Sequence, residues 1–474
     1  MQKSFREIFL REIGFPPTQD QDMLIGRLED FLFRSHSKVF ILKGYAGTGK
    51  TTMMSALIKT LPYFQCYTTL LAPTGRAAKV LSLFSEKKAY TIHKRIYYSS
   101  HDESSFVFKL RENKSRYTVY IVDESSMIGA GNDGGFMSRD LLEDLMNYIN
   151  EGIDCKVIFI GDTAQLPPVG EEISPALDEQ YINRHYGIEP PSYKLTNVVR
   201  QALDSGILKN ASNLRYRIFK QNYSLPIFKL QGLNDVERID GNEFEEYLYR
   251  AYKEYGEDEV LTICRSNRQA NIINNRIRYT ILERENQIDT NDNLMAVKNN
   301  YFWLSDDSKI GFIANGDIFK IKRIIGYEEK YGHNFADVVV TFNDYPEQEE
   351  VDMKILLDTL SLEKASMDMG GEEGLYRKIF EEQYEKTHNR TQAKKNTFND
   401  PYFNAVQVKF ASCLTCHKAQ GGGWKAVFVF QSFFTEDMLG KEYFRWLYTA
   451  ITRAKEKLYL INFPEDFFLV EGEE

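Results

Sequence analysis

The sequence predicts an α/β protein built on two parallel-sheet units, and three features point there. Val39-Phe40-Ile41-Leu42, a short apolar run, leads into the glycine turn Gly44-Tyr45-Ala46-Gly47-Thr48-Gly49-Lys50-Thr51-Thr52 and then a helical stretch from Met53 to Ile58. That is the strand, loop and helix order of a phosphate-binding P-loop. Val119-Tyr120-Ile121-Val122 and Val157-Ile158-Phe159-Ile160 are nearly continuous apolar runs, as in strands covered on both faces. The second half repeats the style at Val260-Leu261-Thr262-Ile263-Cys264, Ala426-Val427-Phe428-Val429-Phe430 and Leu458-Tyr459-Leu460-Ile461, without a second P-loop.

The 474 residues are too many for one ordinary core, and 43% apolar content allows several. A formal charge of −9 means that the whole-molecule field does not attract a polyanion, so any nucleic-acid site must be a local groove. The five cysteines are odd in number and scattered, which is no disulfide framework. The N-terminal stretch lacks a signal-peptide core and no run of about 18 apolar residues occurs, so no membrane partner is expected and a reducing cytoplasm is the expected compartment.

In chain order, Leu24, Leu28, Phe31 and Leu32 recur at helical spacing behind Thr18 and Gln21, which fit a capping box. In the glycine turn, Gly44, Gly47 and Gly49 allow tight curling, Lys50 can reach β and γ phosphates, and the Thr51 hydroxyl suits a Mg²⁺ shell. The strand Thr68-Thr69-Leu70-Leu71-Ala72 ends in Pro73-Thr74-Gly75-Arg76, a turn into a helix with cations near its start; Thr91-Ile92-His93 follows. From Lys94 to Arg116 the period switches to alternation around a polar turn, Ser99 to Ser105, so a hairpin insertion is expected.

Asp123-Glu124 leaves a buried strand at its C-terminal end, where an open α/β sheet has its ligand crevice. Asp123 there suits the Mg²⁺ shell and Glu124 the orientation or deprotonation of an attacking water. Gly161 to Val169 adds a rigid double-proline turn with Gln165 as a neutral hydrogen-bonding group. From about Leu294 to Phe342 the pattern is all-β, and from about Leu360 to Asp400 it is charged, with a flexible bend expected at Met369 to Gly374 and a short helix near Leu375 to Tyr384. The second sheet is expected to resume at Val406 to Ala411. Cys413-Leu414-Thr415-Cys416-His417 matches the C-x-x-C-H haem attachment spacing, but the missing export signal and missing further ligands favour buried cysteines.

Taken together and in order, these motifs resemble superfamily 1 DNA helicases of the 5′ to 3′, RecD-like and Dda-like subgroup. The resemblance implies an α/β fold of two RecA-like P-loop domains with a β-hairpin insertion and an SH3-like β-domain insertion. It implies residues 1–93 and 117–196 as one RecA-like domain, 94–116 as a pin, 197–290 and 401–474 as the second domain, and 291–400 as the inserted β domain with its charged helical segment. Gln21 matches an adenine-reading motif. Gly44, Ala46, Gly47, Thr48, Gly49, Lys50, Thr51 and Thr52 match the ATP loop, with Mg²⁺ held at Thr51 and Asp123. By the same resemblance Gln165 is a γ-phosphate sensor, and Arg200 and Arg453 are arginine fingers. Pro73, Thr74, Arg76, Thr91, His93, Thr415, His417 and Lys418 correspond to the residues that grip single-stranded DNA. Hairpin aromatics such as Tyr97 and Tyr98 either stack on bases or pack the hairpin.

The implied activity is ATP-dependent translocation and strand separation by a monomer-competent motor. Forked duplex DNA and replication or repair proteins are the implied partners. Two departures stand out: Gly423 occupies the place where the subgroup often has a ribose-binding glutamate, and the charged segment before Asp400 matches nothing in the family. The rival readings are an ATPase subunit of a RecBCD-like complex and an ATP-switched nucleic-acid-binding protein.

Overall fold

The computed structural model describes residues 4–102, 105–131, 140–197, 205–304, 308, 310, 312–345 and 350–468. The first half carries β1 (Val39–Gly44), β2 (Tyr67–Ala72), β3 (Ala89–Thr91), β4 (Tyr97–Asp102), β5 (Ser105–Leu110), β6 (Thr118–Val122), β7 (Lys156–Gly161) and β8 (Ser192–Leu195). A wholly parallel sheet runs in the order β3-β2-β6-β7-β1-β8. Phe40, Leu42, Ile121 and Ile158 pack on one face of it, and Ile41, Tyr120, Val122 and Phe159 on the other. Because successive residues serve opposite covered faces, the strands read as unbroken apolar runs. The order places β6, β7 and β1 side by side, so the P-loop, Asp123-Glu124 and Gly161-Asp162 leave the sheet along one edge.

Strands β4 and β5 form an antiparallel hairpin from Tyr97↔Leu110 to Asp102↔Ser105. The polar stretch expected to turn from Ser99 onward is therefore largely strand, since Phe106, Val107 and Phe108 supply it with partner backbone groups.

The second half adds β9 (Val236–Ile239), β10 (Val260–Cys264), β11 (Asn293–Ala296), β12 (Ile318–Lys330), β13 (His333–Phe342), β14 (Val351–Leu356), β15 (Val406–Phe410), β16 (Cys413–Thr415), β17 (Trp424–Phe430) and β18 (Ala454–Ile461). A second parallel sheet runs β16-β10-β17-β18-β9, and β11 to β15 close a barrel. Here the structure corrects the sequence reading. Val406–Phe410 does not reopen the second sheet but completes the barrel, antiparallel to β11 and parallel to β14. Val406, Val408 and Phe410 join the barrel core, a single apolar face that suits a barrel wall better than a sheet buried on both sides.

The charged segment is a helical hairpin, Met369–Thr387 and Arg390–Phe398, whose second helix lies against β5. The glycines expected to bend there open the first helix instead, because the Asp368 side chain caps it at the Gly371 N–H, 3.0 Å away. Leu375 and Ile379 seat this helix on Phe335 and Leu356 of the barrel. Among the described residues no helix is long and apolar enough to cross a membrane.

The helix Asn267–Thr280 joins the barrel to the second sheet through a buried ionic knot. Arg278 makes two bonds to Asp292, at 2.9 and 3.1 Å, and lies 4.3 Å above the Phe410 ring, while Arg284 also reaches Asp292 at 3.2 Å. Arg278→Ala is expected to cost about 3–5 kcal/mol, because Asp292 would be left buried beside Arg284 alone. The urea unfolding midpoint checks this; a loss below about 1 kcal/mol would show the knot to be dispensable.

Candidate functional site

The P-loop is shaped by two glycines in the left-handed region, Gly47 at φ +75° and Gly49 at φ +83°, which side chains rarely adopt. Gly44 is needed for space: a Cβ there would lie 2.8 Å from the Lys50 stem. Lys50 opens the following helix and donates Nζ hydrogen bonds to the carbonyls of Gly44, at 2.6 Å, and Tyr45, at 2.9 Å. Its cation thus hangs over the loop, with Thr51 and Thr52 in the first helical turn. Gln21 serves both readings of its position. Its Oε1 accepts from the Thr18 N–H in a complete capping box, and its Nε2 donates to the Thr48 carbonyl at 3.3 Å.

Past β6, the Asp123 carboxylate accepts from the Glu124 N–H at 2.8 Å. Burial and the neighbouring Glu124 push the Asp123 carboxyl up to about 6, against the pull of Lys50. Glu124 itself sits at φ +51°, a conformation costing a non-glycine residue on the order of 1–3 kcal/mol and typical of functional turns. Past β7, Asp162 is buried and Gln165 follows it, with Oε1 enclosed and lacking a hydrogen-bond partner. An enclosed acceptor beside a phosphate loop suits a ligand that brings its own donor, such as a water. The hydroxyl of Thr51 and the carboxylate of Asp123 are hard oxygen donors that suit Mg²⁺.

The second unit closes onto this edge through the helix Lys441–Ile451. Tyr448 Oη accepts from the Ala46 N–H of the P-loop at 2.9 Å and donates to Asp162 at 2.6 Å. Burial and the Asp162 charge hold the Tyr448 phenol well above its ordinary range. Thr449 accepts from the Leu166 N–H, Gln420 donates to the Leu166 carbonyl, and Arg445 bonds the Thr163 and Glu172 carbonyls. Tyr448→Phe is expected to destabilise the protein by about 1–3 kcal/mol, since the Ala46 N–H and Asp162 lose a buried partner. Urea titration measures it, and a change within about 0.3 kcal/mol would mean that water replaces the phenol.

Arg453 is buried in the second unit, with Nη1 on the Gly422 carbonyl and Nε on the Thr449 carbonyl, each at 3.1 Å. It does not touch the P-loop here. Arg200 lies outside the described residues. Sequence reasoning passed over Asp162, Tyr448 and Arg445, and also Lys194 and Arg215, whose charges lie 4.7 and 4.5 Å from the Tyr45 ring. No spacing rule marks these residues, because each acts across a junction between elements far apart in sequence.

The residues expected to contact DNA fall in two places. Thr74 caps the helix Gly75–Ser85, and its neighbour Arg76 lies flat on Trp424, 3.9 Å from the ring. Gly421 approaches Thr74 and Ala77 so closely that a Cβ would stand about 3.1–3.2 Å from both. Lys418 reaches Asn315 of the barrel. Pro73 directly precedes Thr74 in the chain, and Thr415 and the exposed His417 shortly precede Lys418. Thr91 is buried and spends its hydroxyl capping Lys94 N, while His93 stands between Tyr97 and Phe312 on a separate flank. The cysteine motif turns inward: Cys413 lies 3.7 Å from Cys264, Cys416 bonds the Trp446 carbonyl, and burial pushes the Cys416 thiol up to about 12.

The AAA domain family matches residues 28–217, and the UvrD-like helicase C-terminal domain family matches residues 410–461. The chain is 30% identical over 180 residues to the ATP-dependent RecD2 DNA helicase of Deinococcus radiodurans, covering 37% of this chain and 22% of that protein. It is 34% identical over 132 residues to the ATP-dependent DNA helicase dda of Enterobacteria phage T4, covering 27% and 28%. A broader match, 27% identical over 461 residues, covers 90% of this chain and 36% of the protein MJ1519 of Methanocaldococcus jannaschii. The chain thus spans about a third or less of the length of these relatives. It is also similar to a Pif1 helicase from Bacteroides solved with ADP-AlF3 and single-stranded DNA, at 13% identity and a TM-score of 0.45, over 96% of this chain and 95% of that one.

Proposed function

We propose that this chain, a member of the superfamily 1 helicases of the RecD-like and Dda-like subgroup, is an ATP-driven motor that moves 5′ to 3′ along single-stranded DNA and separates the strands of a fork. One observation supports coupling between hydrolysis and movement. Tyr448 of the second unit holds the P-loop N–H of Ala46 and the β7 carboxylate of Asp162 together. A charge gained or lost at the loop therefore acts directly on the helix Lys441–Ile451 and on the sheet behind it.

In this reading Gly44, Ala46, Gly47, Thr48, Gly49 and Thr52 cradle ATP, Lys50 neutralises its β and γ phosphates, and Gln21 reads the base. Thr51 and Asp123 hold Mg²⁺, which when bound supplies charge neutralisation at the transferring phosphoryl group. Glu124 orients the attacking water or takes its proton, and Gln165 senses the γ-phosphate. Arg200 and Arg453 swing in from the second unit as closure proceeds. Thr74, Arg76, Thr415, His417 and Lys418 grip the strand at the three-way junction, and Pro73, Thr91 and His93 shape its first-unit side. The β4–β5 hairpin divides the fork.

The test is ATP-dependent unwinding by the purified chain of matched duplexes bearing a 5′ tail, a 3′ tail or no tail, at stated salt, since phosphate contacts weaken as salt rises. Unwinding from the 5′ tail alone is expected. A 3′ preference would overturn the polarity, and DNA-stimulated hydrolysis without unwinding would favour the ATP-switched binding protein or a subunit needing partners.

A further inference from the structure

A cavity of about 570 Å³ lies where the helix Ile92–Ile96 and the foot of the β4–β5 hairpin meet the barrel loop that carries Tyr301 and Phe312. It is within the size range of small-ligand sites, about 300–1,000 Å³. Its described lining has an unusual composition. Lys94, Arg95, Arg111 and Lys114 bring four basic side chains against one carboxylate, Glu112, which is already paired with Lys114 at 3.2 Å. Among the described residues the remaining wall is dominated by aromatic rings, with no aliphatic side chain. Tyr301 and Phe312 stack with centroids 4.7 Å apart, Phe312 stands edge-on to His93 at 6.0 Å, and the Arg111 guanidinium lies 6.0 Å from the Tyr98 ring.

The electrostatics agree with an anionic guest. Arg95 Nε is buried with no hydrogen-bond partner among the described residues, a state that is costly unless a ligand relieves it. Burial, with Lys88 and Arg111 close by, pulls the Lys94 ammonium down to about 8. Flat rings with cations and no aliphatic wall match a nucleobase carrying a phosphate better than the apolar side chains of an acidic peptide.

Resting on the motor reading above, we propose that this cavity is a second nucleotide site: it takes one unstacked nucleotide, base among Tyr98, Tyr301 and Phe312, phosphate against Arg95 and Arg111. Tyr301 and Phe312 belong to no motif found in the sequence, whereas Arg95, Tyr98 and Arg111 lie in the 94–116 stretch that the resemblance gives as a pin. Their placement at the foot of the hairpin makes the strand at the fork the first source of that nucleotide; a free mononucleotide has the same chemistry.

The experiment places 2-aminopurine at successive positions of a 5′-tailed fork and reads its fluorescence on the full chain. One position near the duplex junction is expected to differ sharply from its neighbours. In Tyr301→Ala and, separately, in the exposed-site variant Arg111→Glu, that difference is lost. Fork binding then weakens by roughly 5- to 150-fold, the equivalent of one lost stack, while DNA-independent ATP turnover is unchanged. Competition by millimolar dAMP would assign the cavity to free mononucleotide, and no competition would assign it to the strand. A signal uniform along the tail, or one that survives both variants, overturns the site while leaving the motor intact, as does displacement of dAMP by an acidic peptide without effect on the fork. Absence of DNA-stimulated hydrolysis in the unaltered chain would sink the motor reading instead, and direct dAMP binding, lost in both variants, then decides the cavity by itself.

Discussion

Replacing Lys50 with Ala is expected to reduce DNA-stimulated ATP hydrolysis by at least about 100-fold, the scale seen when one preorganised group is removed from a developing negative charge. The side chain holds nothing together by packing: it is partly exposed, and its ammonium sits on two loop carbonyls, those of Gly44 and Tyr45. The glycine conformations at positions 47 and 49 and the helix they start do not depend on it. The loss should therefore appear in turnover while the unfolding midpoint stays close to that of the unaltered chain. Steady-state phosphate release with and without single-stranded DNA measures the effect, and a variant within tenfold of the original rate would remove Lys50 from the chemistry.

Arg453→Ala is expected to retain ATP binding and lose hydrolysis by about 10³- to 10⁵-fold, as for other arginines that meet a transferring phosphoryl group. The structure sharpens this test because Arg453 is buried and bonded to Gly422 and Thr449 of its own unit. An arginine that only braced that loop would, on truncation, lower stability and nucleotide binding together. Comparison with Arg453→Lys separates the cases, since lysine keeps the charge but not the forked geometry. Equal losses of binding and turnover in the alanine variant, with a lowered unfolding midpoint, would make it a structural arginine.

Both predictions rest on residues that the sequence displays openly. The P-loop is legible because its glycines are demanded by local backbone geometry, and Asp123-Glu124 because an unbroken apolar run announces a strand whose end is the crevice. The capping box at Thr18 and Gln21 is equally local, yet only the fold reveals that Gln21 also reaches Thr48. What escaped was non-local. Val406–Phe410 alternates as any half-covered strand does, and its choice of the barrel depends on β11, more than a hundred residues earlier. The hairpin of helices after Asp368 is mostly solvated, so its periodicity is faint, and its aromatic contacts, Tyr376 with Phe398 and Phe403, join its two arms and the stretch after them. Tyr448 carried no role in the sequence reading and proved to be the tie between the two halves.

The order in which these pieces leave the ribosome has a consequence of its own. Every strand of the first sheet has been made by Leu195, so the P-loop half can fold while the remainder is still being synthesised. The second sheet cannot be completed until β15 has closed the barrel and β16 to β18 have followed. Its helix Lys441–Ile451 is made between β17 and β18. Until then Tyr45, Ala164 and Leu166, which end up in the core shared with that helix, stay uncovered. The P-loop edge is thus covered only after β17 has been made, and products stalled before that point would be sticky along it.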